Sequence, residues 1–349
     1  MDNNILKYTI DKNASIKDAL VLLDKLSDDV LTLFVLADNK VVGTITDGDI
    51  RRALIRNISI DASVTDVMNK DFKYISLKEN NIQKIREIKQ IGIFLLPCIG
   101  ENGELLKIYN LKKKKSILPI DAVLMAGGKG ERLRPLTEKT PKPLLPVGNK
   151  AIIDHNIDRL INYGVEHIHV TTNYLAEQIE EHFTNERDGV KIQCVREEHY
   201  WGTVASVKLI PFIHNENILI MNSDLFTNID FEDFFFFFKE ENADMAVAAI
   251  PYSINIPYGI LELNGIDVRS IKEKPTYNYY ANAGIYLIKK ELLDLIPSNT
   301  YFNATDCIET LIQKKYKVSR YPLTGYWIDI GKIDDYRKAQ DFIKHTKTI

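Results

Sequence analysis

The sequence predicts an α/β protein in which a small α+β unit precedes a larger domain built on a mostly parallel sheet. Over residues 1 to about 115, an order of helix, strand, turn and strand occurs twice. From Ile120 onward, strand-like apolar runs alternate with helical segments, which is typical of a parallel sheet covered by helices. The length of 349 residues suits two domains, and we expect them at 1–116 and 117–349.

Composition limits the classes of function. The formal net charge of −3 provides no general attraction for nucleic acid. No apolar run approaches the roughly 18 residues needed to cross a bilayer, and the first residues lack the basic segment and apolar core of a secretory signal. The three cysteines are far apart, which argues against a disulfide framework or a zinc site. We therefore expect a cytoplasmic protein with small-molecule ligands.

The amino-terminal repeat is defined by the spacing of apolar residues. Helical spacing alternates with short extended runs, and each pair of strands is separated by a turn. Each copy alone would leave one sheet face uncovered, so we expect the two copies to pack as one unit. The predicted helices are Ser15–Ser27, Asp49–Ile55 and Asn81–Ile91, and the predicted strands are Leu31–Ala37, Val41–Thr46, Ile93–Ile99 and Glu104–Asn110.

Within the first copy, the segment VGTITDGDIR (42–51) resembles the CBS domain, and the resemblance to a tandem CBS pair covers most of the first 115 residues. In that family a hydroxyl residue followed three positions later by aspartate holds the ribose of an adenine nucleotide, which implies a nucleotide site at Thr46 and Asp49. A carboxylate can accept hydrogen bonds from two vicinal hydroxyls. The second copy has Asn110 and Lys113 at the matching positions, so at most one ribose site is expected. A structural or dimerising role is the alternative.

The larger domain opens with Asp121–Ala126, an apolar run that predicts a buried strand, and continues into the glycine-rich turn Gly127–Gly130. Glycines allow backbone amides to approach a phosphate closely. The spacing matches neither the Walker P-loop nor the GxGxxG dinucleotide fingerprint. The stretches RLRPLT (132–137) and PKPLLPV (141–147) follow, and their cations and prolines indicate a rigid, positively charged loop over a polyphosphate.

Together these stretches closely resemble the signature of the nucleotide-sugar pyrophosphorylases, the sugar-1-phosphate nucleotidyltransferases. The resemblance implies a Rossmann-like, mostly parallel sheet and the transfer of a nucleotidyl group from an NTP to a sugar 1-phosphate, with release of pyrophosphate. It also implies that Gly127, Gly128 and Gly130 cradle the triphosphate. Arg132 would hold the departing pyrophosphate, and Lys142 would contact the phosphates at the reacting centre. Positioning and charge stabilisation account for catalysis of such transfers.

Two aspartates follow predicted strands. Asp224 comes after the apolar run Asn217–Asn222, and Asp329 lies in the strand-like segment Tyr326–Gly331. A single aspartate after a strand is usually a helix cap or a turn residue, but this pair matches the family positions for a divalent cation. Magnesium is commonly held by one or two carboxylates together with water and substrate phosphates. The resemblance therefore implies Mg²⁺ at Asp224 and Asp329.

The segment Ile271–Pro275 contains the EKP motif of the family. The resemblance implies that Glu273 accepts hydrogen bonds from sugar hydroxyls and that Lys274 neutralises the sugar phosphate, a surface charge run being the alternative. Four further positions match residues that line the sugar pocket in the family: Tyr258, Gly259, Asn282 and Gly284.

The base-reading region is expected at Arg196–Thr203. Gly202 and Thr203 match the Leu-Gly-Thr of the family, with Trp201 in place of the leucine. A tryptophan there either stacks on a base or fills the pocket wall. These residues leave the identity of the nucleobase open.

The order of a CBS pair and this catalytic domain resembles the glucosamine-1-phosphate guanylyltransferases of bacterial legionaminic acid pathways, which favours GTP and a hexosamine 1-phosphate. Mannose- or heptose-1-phosphate guanylyltransferases and glucose-1-phosphate thymidylyl- or uridylyltransferases share the catalytic motifs. A nucleotide-sensing protein without turnover is an alternative of another class, and the presence of Arg132, Lys142, Asp224 and Asp329 argues against it. We expect a homo-oligomer with no nucleic-acid or membrane partner.

Overall fold

The computed structural model describes residues 3–76 and 82–345, and the chain divides into two compact units, Met1–Ile117 and Leu118–Ile349. This division lies one residue beyond the boundary expected from the sequence. The start of the predicted helix at Asn81 falls outside the described residues. Throughout the described ranges, each helix is too short or too polar to cross a membrane.

The first unit contains two three-stranded sheets of the same topology. In each sheet a short strand pairs in parallel with the next strand, which forms an antiparallel hairpin with the third. The structure thus confirms the repeat that the sequence predicted. The elements are α1 (Asn3–Leu6), β1 (Thr9–Asp11), α2 (Ile16–Asp24), β2 (Thr32–Ala37), β3 (Lys40–Thr46), α3 (Asp47–Ile55), β4 (Ile75–Ser76), α4 (Ile82–Gln90), β5 (Leu95–Ile99) and β6 (Leu105–Asn110).

Helix α2 illustrates how the local sequence specifies these elements. Its apolar residues Ile16, Ala19 and Leu23 recur at helical spacing and are buried on one face. Ser15 and Asp18 form a capping box at its amino terminus, in which each side chain accepts a hydrogen bond from the backbone amide of the other residue. The helix therefore begins at the predicted position, and its buried face packs in the core of the first unit.

The second unit is built around one large sheet covered by helices. Its elements, in chain order, are β7 (Asp121–Met125), β8 (Pro146–Val147), β9 (Lys150–Ala151), α5 (Ile152–Asn162), β10 (His167–Thr172), α6 (Ala176–His182), β11 (Ile192–Arg196), β12 (Asn217–Asn222), β13 (Leu225–Thr227), α7 (Phe231–Glu240), β14 (Met245–Asn255), β15 (Ile260–Asn264), β16 (Asp267–Lys272), β17 (Thr276–Lys289), α8 (Ala304–Gln313), β18 (Val318–Pro322), β19 (Trp327–Asp329) and α9 (Ile333–His345).

The large sheet has seven strands in the order β11-β10-β7-β12-β17-β14-β18. Strands β11, β10, β7 and β12 are parallel to one another, and so are β14 and β18. Strand β17 is antiparallel to both of its neighbours. The prediction of a mostly parallel sheet is therefore confirmed, with one antiparallel strand in its interior.

Helix α7 contains the run of five phenylalanines at 234–238. Phe231, Phe234, Phe235 and Phe238 follow the i, i+3, i+4, i+7 spacing of one helix face, and all four are buried. The side chain of Asp230 caps the helix by accepting hydrogen bonds from two amides of its first turn. The run therefore serves to pack this helix within the second unit.

The starts of β7 and β12 are joined through the buried carboxylate of Asp121. It accepts hydrogen bonds from the amides of His214 (3.0 Å) and Asn215 (2.8 Å). Burial opposes ionisation, but the His169 ring and these amides outweigh it and lower the pKa of Asp121 to about 2. The loop that precedes β12 is thus fixed to the first strand, which sets the position of β12 beside β7.

Candidate active site

A cavity of about 660 Å³ opens at the carboxyl ends of strands β7, β10, β11 and β12. From β7 the chain proceeds outward to β10 and β11 on one side, and then returns to β12 on the other side. Ligands of open α/β sheets bind at such a switch point. Of the residues singled out from the sequence, those that line the cavity are Gly127, Gly128, Gly130, Arg132, Lys142, Gly202, Thr203 and Asp224.

The glycine-rich turn after β7 has both packed and open positions. A Cβ atom at Gly127 would lie 2.7 Å from Glu197 Oε1, and one at Gly130, whose φ is +63°, would lie 3.1 Å from Lys142 Cβ. A Cβ atom at Gly128 would meet no atom of the described residues within 4 Å. A side chain at Gly127 would crowd Glu197, and one at Gly130 would be strained by the positive φ, while Gly128 leaves open space where a ligand can approach the backbone.

Two cations flank this turn. Lys142 is buried, and its ammonium forms an ion pair with the carboxylate of Asp224. The Arg132 guanidinium lies over Gly331, where an added Cβ atom would come within 3.2 Å of Arg132 Nη2. Glycine at 331 therefore makes room for the arginine. A polyphosphate entering the cavity would meet both positive charges.

The two predicted metal ligands lie on paired strands. Strand β13, which directly follows Asp224, is antiparallel to β19, and Leu225 lies opposite Asp329. The amide of Ile330 donates a hydrogen bond to the carbonyl of Asp224 (3.2 Å). The structure therefore brings together two aspartates that are more than a hundred residues apart in the sequence.

The electrostatics of this pair suit a divalent cation. Oδ1 of Asp224 is buried and accepts no hydrogen bond from the described residues. Burial and the charge of Asp224 raise the pKa of Asp329, and Lys142 offsets this only in part. Among the residues that the structure describes, no group of three or more His, Cys, Asp or Glu side chains has metal-binding geometry. A cation held here would take its other ligands from water or substrate phosphates, as Mg²⁺ commonly does.

Glu197 lies within the expected base-reading region Arg196–Thr203 but is not singled out by the sequence; it follows β11 and lines the cavity. Its side chain is buried, and burial raises its pKa to about 7, although the Trp201 amide donates to Oε2 at 3.4 Å. No lysine, arginine or histidine in the described ranges forms an ion pair with it. Perturbed, unpaired carboxyl groups in clefts are candidates for function. The available signal was an acidic residue directly after a strand, just before Gly202 and Thr203.

The loop that carries Gly202 and Thr203 is fixed to the start of α8. Gly202 has a φ of +93°, and a Cβ atom there would lie 2.7 Å from the carbonyl oxygen of Phe302. The Thr203 hydroxyl accepts a hydrogen bond from the Ala304 amide (2.9 Å). Trp201 packs against the hydrophobic core, which favours the wall-filling interpretation.

Two of the predicted sugar residues lie beside the cavity. Gly284 has a φ of +71°, and a Cβ atom there would come within 2.6 Å of the side-chain nitrogen of Asn222, which lines the cavity. The side-chain oxygen Oδ1 of Asn282 accepts a hydrogen bond from the Gly284 amide (2.9 Å). Both residues therefore shape the backbone at the edge of the cavity.

The other predicted sugar residues lie on an exposed extension of the sheet. Tyr258, Gly259, Glu273 and Lys274 are exposed, and the described lining of the cavity does not include them. A Cβ atom at Gly259 would lie 2.8 Å from Glu273 Oε2, so these two residues are neighbours. Lys274 has a φ of +44°, a left-handed conformation directly before a proline. The structure thus groups these residues with one another and not with the phosphate end of the cavity.

Comparison with known proteins identifies the family. Residues 121–346 match the nucleotidyl transferase family. The chain belongs to this family. Residues 1–56 match the CBS domain, so this second match covers the first copy of the amino-terminal repeat.

Several differently named proteins are similar in sequence to the nucleotidyl transferase domain. The bifunctional protein GlmU of Methanocaldococcus jannaschii is 32% identical over 231 residues, which cover 64% of this chain and 54% of the relative. The D-glycero-alpha-D-manno-heptose 1-phosphate guanylyltransferase of Aneurinibacillus thermoaerophilus is 30% identical over 65% of this chain and 99% of its own length. This chain therefore spans about half the length of the first of these relatives and nearly all of the second.

Solved structures support the fold of the same domain. HddC from Yersinia pseudotuberculosis superposes with a TM-score of 0.51 at 24% identity, covering 64% of this chain and 99% of the other. The same protein complexed with GMP-PN gives the same TM-score at 22% identity. At this identity the likeness concerns the fold alone.

Thr46 and Asp49 of the CBS domain form the capping box of α3. Asp49 Oδ2 accepts hydrogen bonds from the Thr46 amide (2.9 Å) and hydroxyl (2.6 Å). Asp49 Oδ1 accepts one from Arg52 (2.6 Å). Both carboxylate oxygens are thus engaged, and a ribose bound here would share them with the helix cap and the arginine.

The matching positions of the second copy are used differently. Asn110 donates a hydrogen bond to Asp29 Oδ1 (2.6 Å), and the Lys113 ammonium lies 3.2 Å from Asp29 Oδ2. Burial opposes ionisation of Asp29, but Tyr8 and these partners keep its pKa well below the usual range. The second copy therefore uses these positions to hold the first copy.

Proposed function

We propose that the protein transfers a nucleotidyl group from GTP to a hexosamine 1-phosphate, forming an NDP-sugar and pyrophosphate. The observation that carries the proposal is the cavity at the switch point, where an open glycine turn, two cations and a pair of aspartates meet. Relatives named as guanylyltransferases support the reaction class. Mannose, heptose and glucose 1-phosphates, with other nucleotides, are the alternative substrates.

In the proposed reaction, an oxygen of the sugar 1-phosphate attacks the α-phosphorus of the triphosphate, and pyrophosphate leaves on the opposite side. The amides of the turn at Gly127–Gly130 bind the triphosphate, and Lys142 and Arg132 neutralise its charge. The nucleophile is already ionised, so no general base is required. Asp224 and Asp329 would hold Mg²⁺, which supplies further charge neutralisation when bound.

Guanine is favoured by Glu197. An ionised carboxylate offers two hydrogen-bond acceptors and no donor. Guanine presents two adjacent donors, N1–H and N2–H₂, on one edge, whereas uracil and thymine place carbonyl oxygens on both sides of their single N–H. Adenine sets an acceptor beside its amino group. A buried carboxylate therefore discriminates in favour of guanine, because the other bases leave one of its oxygens unpaired or repelled.

The affinity for GTP is expected to depend on pH through Glu197. Its pKa is about 7 in the ligand-free protein, because burial disfavours the charge. Guanine pairs with the ionised form, so binding below this pKa requires loss of a proton. The Kd of a non-hydrolysable GTP analogue should then rise about tenfold for each pH unit below 7 and level off above it. Calorimetric titration between pH 5.5 and 8 measures this, and a flat profile in the native protein would contradict it.

The reaction itself is tested by measuring pyrophosphate release with magnesium across four nucleoside triphosphates and several hexose, hexosamine and heptose 1-phosphates. Activity with GTP and glucosamine 1-phosphate is expected. Activity with another combination of nucleotide and sugar 1-phosphate would identify one of the alternative substrate pairs. Absence of activity from folded protein with every combination would favour the nucleotide-sensing alternative.

The amino-terminal unit is proposed to regulate this enzyme by binding an adenine nucleotide at Thr46 and Asp49. We expect ATP or AMP to shift turnover in the native protein, and Asp49→Ala to remove the shift while basal turnover stays intact. That substitution also removes the Asp49 half of the α3 capping box, while the N-cap Thr46 stays, at a cost of no more than about 1 kcal/mol in the free energy of unfolding. Asp18→Ala removes the equivalent half of the α2 capping box and serves as the matched control. Regulation that survives in the Asp49 variant would disprove this role.

The proposed setting is the cytoplasm, with small molecules as partners. Two of the three cysteines, Cys98 and Cys307, are buried, as is usual for reduced thiols in a reducing compartment. The net charge of −3 argues against nucleic acid as a partner. Self-association is also proposed.

A further inference from the structure

Among the described residues that line the cavity, Tyr200 is the only aromatic one. It is 44% exposed, so a large part of its side chain is uncovered. Aromatic rings contribute most when their faces pack against other flat or apolar groups. An uncovered ring in the wall of a substrate cavity therefore calls for a partner, and the proposed substrates offer two candidates, the nucleobase and the sugar.

The two adjacent aromatic residues of this loop have different surroundings. Trp201 is half-buried and packs against the hydrophobic core, so its indole fills the wall behind the cavity. The described members of that core cluster do not include Tyr200, which lines the cavity instead. Of the two roles considered for an aromatic residue in the base-reading region, wall filling thus belongs to Trp201, and stacking is open to Tyr200.

The position of Tyr200 is restricted by contacts between its loop and the segment before α8. The Phe302 amide donates a hydrogen bond to the carbonyl of Trp201 (2.7 Å), and the Val204 amide donates one to the carbonyl of Phe302 (3.3 Å). The ring of Tyr301 lies 6.1 Å from that of Tyr200, at an interplanar angle of 67°. An edge-to-face pair of this kind orders the ring before a ligand binds, which lowers the entropic cost of stacking.

Tyr200 also lies close to two carboxylates of the cavity. Burial raises the pKa of its hydroxyl, and the charges of Tyr301, Glu197 and Asp224 raise it further. Glu197, the proposed guanine reader, precedes Tyr200 by three residues and accepts a hydrogen bond from the Trp201 amide (3.4 Å). The uncovered ring is therefore neutral, and it belongs to the same loop as the carboxylate that would read the base.

We propose that Tyr200 stacks on the face of the nucleobase while Glu197 pairs with its edge. Every base has a π face, so stacking strengthens binding without selecting one base. A buried carboxylate selects, because the wrong base leaves it unpaired. Affinity and selectivity for the base would then come from two different residues of one loop. This inference rests on the proposed nucleotide site, and it requires no particular sugar.

The base is favoured over the sugar by chain position and by chemistry. Tyr200 follows Glu197 in one loop, whereas the predicted sugar residues beside the cavity, Asn282 and Gly284, belong to β17. A hexosamine ring carries hydroxyl groups that need hydrogen-bond partners, and the face of a tyrosine ring supplies no donor or acceptor of the ordinary kind. A flat base loses nothing by covering that face.

Calorimetric titration of the full chain with a non-hydrolysable GTP analogue and with inorganic triphosphate, both with magnesium, tests this inference. Tyr200→Ala should raise the Kd of the GTP analogue about tenfold to a hundredfold, because the stacked ring is lost. Tyr200→Phe keeps the ring and should change this Kd by less than about threefold. Inorganic triphosphate has no base, so its Kd should be the same in all three proteins.

Two further variants serve as controls. Tyr200→Leu keeps apolar bulk without an aromatic face and should bind the GTP analogue as weakly as Tyr200→Ala, which it replaces if the alanine variant does not fold. Tyr316→Ala removes an exposed tyrosine that is absent from the described lining of the cavity, and it should bind like the native chain. Circular dichroism and thermal unfolding establish that each variant is folded.

Base preference gives a second readout. In Tyr200→Ala, kcat/KM should fall by a similar factor for every nucleoside triphosphate that the native chain uses, because stacking tolerates all bases. The order of preference and the pH dependence of GTP binding should stay as in the native chain, since Glu197 is retained. A change in preference as large as that expected for Glu197→Gln would overturn the division of roles between the two residues.

The remaining outcomes separate this inference from the proposed function. A Kd for the GTP analogue that Tyr200→Ala leaves unchanged would overturn the inference alone, and a raised KM for the sugar 1-phosphate in that variant would then assign the ring to the sugar. An equal loss in Tyr200→Phe would assign binding to the hydroxyl, and an equal loss for inorganic triphosphate would show general damage to the cavity. Either would overturn stacking. A native chain that binds no nucleoside triphosphate would overturn the proposed function together with this inference.

Discussion

Replacing Asp224 with asparagine is expected to lower kcat/KM for pyrophosphate release by about a thousandfold or more. The substitution removes the negative charge that pairs with Lys142 and replaces one of the two carboxylate oxygens with an amide NH2 group, at a position whose Oδ1 is buried and has no hydrogen-bond partner among the described residues. Charge stabilisation at the reacting phosphates supplies most of the rate in such transfers. Asp329→Asn should have a comparable effect, because the two carboxylates lie on paired strands.

Two comparisons make this result specific. Asp334→Asn changes an exposed carboxylate in the first turn of α9 and should leave turnover within about twofold. If Asp224 and Asp329 hold a single cation, the double variant should be little worse than either single variant, since residues that act as a unit are not additive. Steady-state kinetics of the single and double variants over a range of magnesium concentrations test whether the two aspartates hold one cation. A loss below tenfold in the single variants would remove both aspartates from the proposed metal site.

The central part of the site could be predicted because it follows from sheet geometry. Glycine-rich and acidic segments that directly follow apolar runs must meet at one edge when the strands are parallel. The structure places the turn at Gly127–Gly130 and the side chain of Asp224 at that edge, after β7 and β12. The predicted strand Asn217–Asn222 also matches β12 residue for residue.

Glu197 could not be predicted, because burial is a property of the assembled fold. An acidic residue after a strand, inside the expected base-reading region, marks both Glu197 and Glu198, and the sequence does not show that Glu197 is buried while Glu198 is exposed.

Prediction from sequence is limited in the first unit for a different reason, because one sequence pattern there has two physical uses. A hydroxyl residue followed three positions later by an acidic residue is both a ribose-binding pattern and a capping box. Ser15 with Asp18 and Thr46 with Asp49 make the same backbone contacts at the starts of α2 and α3. Only ligand binding separates the two uses, which is why the Asp49 variant is compared with the Asp18 variant.

Glu197→Gln is expected to reverse the preference for the base. Glutamine presents one acceptor and one donor in nearly the same shape. The acceptor can pair with N3–H of uracil and the amide donor with an adjacent carbonyl oxygen, whereas guanine would meet one donor with another. We expect kcat/KM for GTP to fall about a hundredfold to a thousandfold and activity with UTP to rise, since rejection by an unpaired buried group is strong.

The matched control is Glu198→Gln, which makes the same chemical change one position along at an exposed side chain. It should leave base preference and its pH dependence unchanged. In Glu197→Gln the affinity for GTP should also become independent of pH between 5.5 and 8, because the group that titrates near 7 has been removed. If kcat/KM falls equally for GTP and UTP in this variant, Glu197 only shapes the pocket. The proposal that Glu197 recognises guanine would then be wrong. Reversal together with a flat pH profile follows only if the carboxylate itself reads the base.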